Sequence, residues 1–296
     1  MPAMKRRTPA PSPPRDPAGL DREYNARAAI PDSAGIFARW ADEAASVRRR
    51  ATVLCDIAYG DTPAEQLDFF PAAAPGAPLF VFLHGGYWRS LDKSHFSWLA
   101  PPLVEAGISV AIPDYALVPS VTMETLVRQV LGAHAWLYRH ASRYDFDRRR
   151  IVSGGHSAGG HLAAMMLCAR WKRWGTDLPH KLVRAGLSIS GLHDLAPVAA
   201  APFLAGDLRL DAPAARRLSP AAMPPVPGTR LLAAVGQLES GEFHRQANLL
   251  AAAWPAGAVE VLELPGRHHL SVLEALAERD HRLHAATLAL CAGTNP

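Results

Sequence analysis

The chain is poor in cysteine, with three among 296 residues: Cys55, Cys168 and Cys291, far apart. An odd, scattered set forms no disulfide framework and has no zinc-ligand spacing. Neither cross-links nor a structural metal is therefore expected, and Cys168, inside an apolar run, reads as a small buried residue. Long apolar runs are also missing. No stretch approaches the ~20 residues that cross a bilayer, so no membrane partner is expected. Arg6-Arg7 is followed by Thr-Pro-Ala-Pro-Ser-Pro-Pro rather than an apolar segment, which argues against an export signal and for a cytoplasmic protein. Basic residues outnumber acidic ones by only 31 − 27 = 4. The local excess sits in Lys5-Arg6-Arg7 and Arg148-Arg149-Arg150 with no interleaved aromatics. Nucleic acid is not an expected partner, and Arg148–Arg150 reads as a solvated turn before a strand. No internal repeat is visible.

What the chain does have is a sharp turn between a strand and a helix. Ile151-Val152 leads into Gly155-His156-Ser157-Ala158-Gly159, and His161-Leu-Ala-Ala-Met-Met-Leu-Cys-Ala169 leads out. This is G-x-S-x-G, the nucleophile elbow of acyl-transfer enzymes. Its glycines let strand and helix approach closely around a strained serine. The helix N-terminus places positive charge beside the Ser157 oxygen. Upstream, the apolar run Leu79–Leu83 has the length of a strand buried on both faces and ends in His84-Gly85-Gly86. Acyl transfer builds negative charge on a carbonyl oxygen, which needs N–H donors already aimed at it. Gly85, Gly86 and the Ala158 N–H are the candidate oxyanion donors.

A serine nucleophile of this kind is followed in the chain by an acid and then a histidine. Arg230–Gly236 reads as a strand and places Glu239 in the loop at its end, with Glu242 as the alternative acid. Val259–Leu264 alternates at strand period and is followed by His268 and His269, either of which has the position of the base. The acid would orient the imidazole and stabilise the imidazolium.

Further strands read at Ala51–Tyr59, Gln66–Phe70, Ile108–Pro113 and Val183–Ser190. Helices read at about Phe96–Glu105, Thr122–Tyr144, His161–Lys172, Glu242–Trp254 and Ser271–Cys291. Asp21–Arg50 is amphipathic and helical, broken at Pro31. This alternation predicts an α/β fold: the α/β-hydrolase fold, a mostly parallel eight-stranded sheet with helices on both faces. Ser157, Gly85, Glu239 and His269 all follow strand ends, where such sheets hold ligands. Residues 1–20, rich in Pro, Ala and Arg, read as a disordered tail, and 21–296 as a single domain. The Ala/Pro-rich stretch of about 191–228 reads as a small helical lid.

His84-Gly-Gly-Tyr-Trp88, Gly155-His-Ser-Ala-Gly159, Ser190-Gly-Leu-His-Asp-Leu195, Gly236-Gln-Leu-Glu-Ser-Gly-Glu-Phe-His-Arg-Gln246 and Tyr24-Asn-Ala-Arg-Ala-Ala-Ile-Pro-Asp32 together resemble the kynurenine formamidase (arylformamidase) group of α/β-hydrolases, related to the hormone-sensitive-lipase-like esterases. The resemblance spans roughly residues 21 to 290. It implies Ser157 as nucleophile, Glu239 as acid, His269 as base because this histidine directly precedes an apolar residue, and Gly85, Gly86 and Ala158 as the oxyanion hole. It also implies that Tyr87 and Trp88 line the substrate pocket, where an aromatic wall suits an aryl ring; for Trp88 the alternative is simple core packing. The animal members carry Asp where Glu239 stands. The implied reaction is hydrolysis of N-formyl-kynurenine to kynurenine and formate, with no cofactor and no metal. The alternatives are a carboxylesterase on short-acyl or aryl esters, a peptidase or thioesterase, and a non-catalytic ligand-binding protein on the same fold. The oligomeric state is left open, a homodimer included.

Overall fold

The computed structural model describes Pro13 and residues 16–293. Its frame is one sheet of eight strands: β1 Leu54–Ala58, β2 Gln66–Phe70, β3 Ala77–Leu83, β4 Ser109–Pro113, β5 Phe146–His156, β6 Val183–Ile189, β7 Arg230–Gly236 and β8 Val259–Leu264. The order is β1-β2-β4-β3-β5-β6-β7-β8. β2 runs antiparallel to both its neighbours, and the six strands from β4 to β8 are mutually parallel.

β3 lies inside the sheet, and every residue in it is buried. That is why it reads as an unbroken apolar run rather than an alternating one. Successive side chains still leave on opposite faces. Leu79, Val81 and Leu83 join one core with α4 (Met123–His140), α5 (Ala158–Cys168) and α10 (Gly241–Ala253). Phe80 and Phe82 join the other, with Ile36 and Trp40 of α2 (Ser33–Arg50) and Leu283 and Leu290 of α12 (Arg282–Ala292). α5 is buried at every residue, as expected of a helix pressed against the middle of the sheet.

The structure corrects three readings of the sequence. The tail was expected to run to residue 20, but α1 spans Pro17–Tyr24; residues 1–12, 14 and 15 of that stretch lie outside the described residues. The start signal is local: the Asp16 side chain accepts from the Gly19 N–H at 2.7 Å and Pro17 sits at the first helical position. The single helix expected over Ser271–Cys291 is two, α11 (Ser271–Glu274) and α12. The Leu276 carbonyl, which a continuous helix would give to the amide four residues on, instead accepts from the His284 ring at 2.8 Å. The His281 side chain then caps α12 through the Leu283 N–H. Finally, β5 begins at Phe146 rather than Ile151 because Ala77 of β3 pairs with Phe146 beyond the main register.

The stretch expected to form the lid carries α7 (Leu195–Ala199), α8 (Pro202–Leu208) and α9 (Ala212–Arg217). α8 is tied to the loop after β3, since Arg89 donates to the Phe203 carbonyl at 2.7 Å and pairs with Asp207. Among the described residues, no helix is long and apolar enough to cross a membrane.

Five buried imidazoles brace these joints. His134 bridges the Val130 carbonyl and the Ser153 hydroxyl, and His161 donates to Leu218 O. Burial lowers His84, His134 and His161 to about 4, His193 to about 3, and His156 well below the ordinary value. In the unfolded chain each titrates near 6.5. Between those values the unfolded state binds protons that the native state excludes, so stability falls as pH drops from about 6.5 toward 4. Asp114, raised by burial to about 7, holds a proton in the native state that the unfolded chain loses, and so offsets about one of the five. Unfolding at pH 5 should therefore take up roughly three to four protons. Calorimetric melts in buffers of different ionisation enthalpy measure this, and a melting midpoint unchanged between pH 7 and 5 would contradict it.

Candidate active site

The elbow forms as its residues require. Ser157 sits at φ 56° and ψ −117°, a sparsely populated backbone conformation held by its surroundings. Its N–H donates to Ile189 O at 2.8 Å, locking the turn to the end of β6. A Cβ at Gly155 would collide with the Gly159 backbone, and one at Gly159 with the Leu83 carbonyl. Both positions exclude any larger residue because β3, β5 and α5 meet there.

The loop after β3 is held by its own histidine. His84 is fully buried, stacks on Tyr115 with centroids 4.3 Å apart, and donates from Nδ1 to Gly85 O at 2.8 Å. In a trans peptide C=O and N–H point in opposite directions. Pinning the Gly85 carbonyl therefore turns the Gly86 N–H away from His84. Gly85 and Gly86 line a cavity of about 30 Å³ together with Ser157, His269, His156, Tyr87 and Arg27.

Glu239 is fully buried on its side chain. Its Oε2 accepts from His269 Nδ1 at 2.6 Å, while Oε1 accepts from the Ser190 hydroxyl at 2.6 Å and the Gly236 N–H at 2.7 Å. With Nδ1–H spent on Glu239, Nε2 of His269 carries the free lone pair. Ser157 and His269 share the cavity without a hydrogen bond between them; in unliganded sites this contact is commonly long and tightens with substrate.

The alternatives are engaged elsewhere. Glu242 is buried against Tyr24 and accepts from Arg245 Nε at 2.8 and 3.0 Å. His268 accepts from the Leu270 and Ser271 amides, both at 3.2 Å, at the start of α11. Tyr87 lines the cavity, but its hydroxyl donates to the Tyr24 carbonyl. Trp88 departs from expectation. Both residues take positive φ, at 51° and 57°, and the turn drives the indole inward. It is 0% exposed and packs edge-on against His161, with centroids 5.1 Å apart. It forms core, not cavity wall.

Sequence reasoning gave no role to His156, Ser190 or Tyr24. His156 donates from Nε2 to the His269 carbonyl at 2.7 Å. Burial and the neighbouring His269 keep it neutral, so it fixes the His269 backbone without adding charge. Ser190 holds Glu239. Tyr24 anchors α1 to α10 through Glu242 and Gln246, whose Oε1 accepts from the His193 and Asp194 amides at 2.7 and 2.8 Å. All three lie in the segments that carried the family resemblance. Their partners are far away in sequence, which is why the sequence alone gave them no task. Among the described residues, no group of three His, Cys, Asp or Glu side chains could hold a metal ion.

Comparison with known proteins bears on the fold and the family. The family model BD-FAE matches residues 67–182, from β2 to the start of β6. A solved structure from Silicibacter sp., described as a presumed thioesterase, superposes with TM-score 0.80 at 32% identity, covering 92% of this chain and 98% of that one. A carboxylesterase from a metagenomic library shares the fold alone, at TM-score 0.66 and 17% identity over 88% of this chain and 96% of its own. The kynurenine formamidase of Salmo salar is 29% identical over 80% of this chain and 81% of its own. That of Danio rerio is 30% identical over 78% of this chain and 79% of its own. Identity sustained over about four-fifths of both chains goes beyond a shared fold: the chain is a hydrolase and belongs to the kynurenine formamidase family of α/β-hydrolases.

Proposed function

We propose that this chain hydrolyses aryl formamides, and N-formyl-kynurenine above all, through a formyl-enzyme on Ser157. The observation that carries the reading is the arrangement at the nucleophile: Ser157 and His269 line one cavity with Gly85 and Gly86, and the buried Glu239 accepts from His269 Nδ1 at 2.6 Å. The names of the relatives from Salmo salar and Danio rerio point the same way.

In this reading His269 Nε2 takes the Ser157 proton as Oγ attacks the formyl carbon, and Glu239 stabilises the imidazolium. The N–H groups of Gly85, Gly86 and Ala158 stabilise the oxyanion. The C–N bond breaks as His269 gives its proton to the aryl amine. Water, deprotonated by His269, then attacks the formyl-enzyme and releases formate and Ser157. The positive end of α5 adds to the stabilisation of the oxyanion. The three unpaired cysteines suit a reducing compartment, and we assign the chain to the cytoplasm.

Acyl length tests the reading. Among p-nitrophenyl esters, kcat/KM should fall about 100-fold or more from acetate to octanoate, because a site built for a formyl group makes no provision for added methylenes. A kcat/KM that rises with chain length would instead support a carboxylesterase with an open acyl pocket.

A further inference from the structure

Arg27 is the one cation lining the cavity that the formamidase mechanism does not use. It belongs to the Tyr24-Asn-Ala-Arg segment between α1 and α2, and its side chain lines the same cavity as Ser157 and His269. The guanidinium lies over the Phe37 ring, 4.5 Å from its centroid. Nη2 donates to the Ser90 hydroxyl at 3.2 Å, and that hydroxyl donates to Gly86 O at 3.0 Å. Arg27 is thus held one side chain away from the oxyanion loop.

Among the described residues no Asp or Glu forms an ion pair with Arg27, whereas Arg89, its cationic neighbour, is paired with Asp207. Residues 1–12, 14 and 15 contain no Asp or Glu to supply a partner. The other charges around the cavity do not compensate. Glu239 is committed to His269, His156 is neutral, and Asp207 is committed to Arg89. Partial desolvation and the nearby Arg89 hold the Arg27 pKa below the ordinary arginine value, yet a guanidinium stays charged at neutral pH. A charged, exposed fork with free N–H groups, lining the same cavity as the nucleophile and without a counter-ion among the described residues, is placed to take a planar anion.

We infer that Arg27 is a specificity residue that takes a carboxylate on the leaving-group side of the substrate. The substrate class is then an aryl formamide bearing an acidic arm, rather than any formanilide. This rests on the formamidase reading and narrows it. Phe37 beneath the guanidinium and Ser90 at its edge fix the direction of the fork, so the site selects a negative group at one place and not merely negative charge.

The test measures binding, so it does not depend on turnover. Dissociation constants for kynurenine and for its carboxamide, which lacks the carboxylate charge, are measured by calorimetry on the full chain and on R27Q and R27K. The wild type should bind the acid about tenfold or more tighter than the amide, the worth of a charge-assisted pair. R27Q should bring the ratio to about one, and R27K should keep part of it. A purely structural role for Arg27 would weaken both ligands alike and leave the ratio unchanged. An unchanged ratio in R27Q, a wild-type ratio near one, or no binding of either compound would overturn the inference. If the acid-to-amide preference depends on Arg27 but N-formyl-kynurenine is not hydrolysed, the formamidase reading fails and the carboxylate site stands.

Discussion

Ser157→Ala should lose about four to six orders of magnitude in kcat and remain folded. The size of the loss comes from the chemistry. Without Oγ no formyl-enzyme forms, and what persists is the background that oxyanion donors and binding give to direct attack by water. The retained fold comes from the geometry. The hydroxyl has no hydrogen-bond partner among the described residues, so its removal orphans no buried group. The Ser157 N–H to Ile189 O bond belongs to the backbone and survives. Alanine carries the same Cβ into the same positive φ, so the strain of the turn is unchanged. The melting midpoint should therefore stay within a few degrees of the wild type while turnover disappears. A fluorophosphonate should label the wild type and not the variant. Retention of even one per cent of wild-type kcat would remove Ser157 from the mechanism.

Glu239→Gln should be the next most damaging change, at about 10³- to 10⁴-fold in kcat. The substitution keeps the shape and removes the charge, and the neighbouring donors set the orientation of the new amide. Oε1 accepts from both Ser190 and the Gly236 N–H, so the glutamine oxygen is drawn to that side. Its NH₂ then faces His269 Nδ1, a donor against a donor. The imidazole can relieve the clash only by moving its proton to Nε2, which leaves no lone pair to accept from Ser157. The reverse amide orientation places NH₂ against the Gly236 N–H instead. Glu239→Asp, with charge retained and reach shortened, should recover part of the loss. Steady-state kinetics with a melting curve for each variant separates this from unfolding. A Glu239→Gln enzyme within tenfold of the wild type would mean that the acid lies elsewhere.

These two residues also mark how far the sequence could be read. Ser157 was legible because everything that positions it is local: a buried strand, two glycines at points of contact, and an apolar helix. The central strands were legible for the same reason, since runs such as Leu79–Leu83 leave a fully buried strand little alternative, and the edge strand Val259–Leu264 was legible by its alternation. Glu239 and Glu242 could not be told apart by motif alone. They lie three residues apart at the same strand end, and what separates them is non-local: Tyr24, 218 residues away in the chain, engages Glu242, while Ser190 engages Glu239. His268 and His269 differ in the same way. The break between α11 and α12 had no Gly or Pro to announce it, because it is imposed by the His284 ring taking the Leu276 carbonyl. Trp88 looked like a pocket residue by its place after the glycines, and only the positive φ of that turn sends it into the core. Arg27 stood in a segment that carried the family resemblance, but its neighbours at the cavity, Phe37 and Ser90, are distant in the sequence and gave it no task.

The measurement that bears most directly on the account is steady-state hydrolysis of N-formyl-kynurenine by the wild-type chain. The expected kcat/KM is about 10⁴ M⁻¹s⁻¹ or more, with formate and kynurenine released in equal amounts. No release of formate from a protein that still reacts with a fluorophosphonate at Ser157 would contradict it: the serine nucleophile would stand, and the formamidase would not.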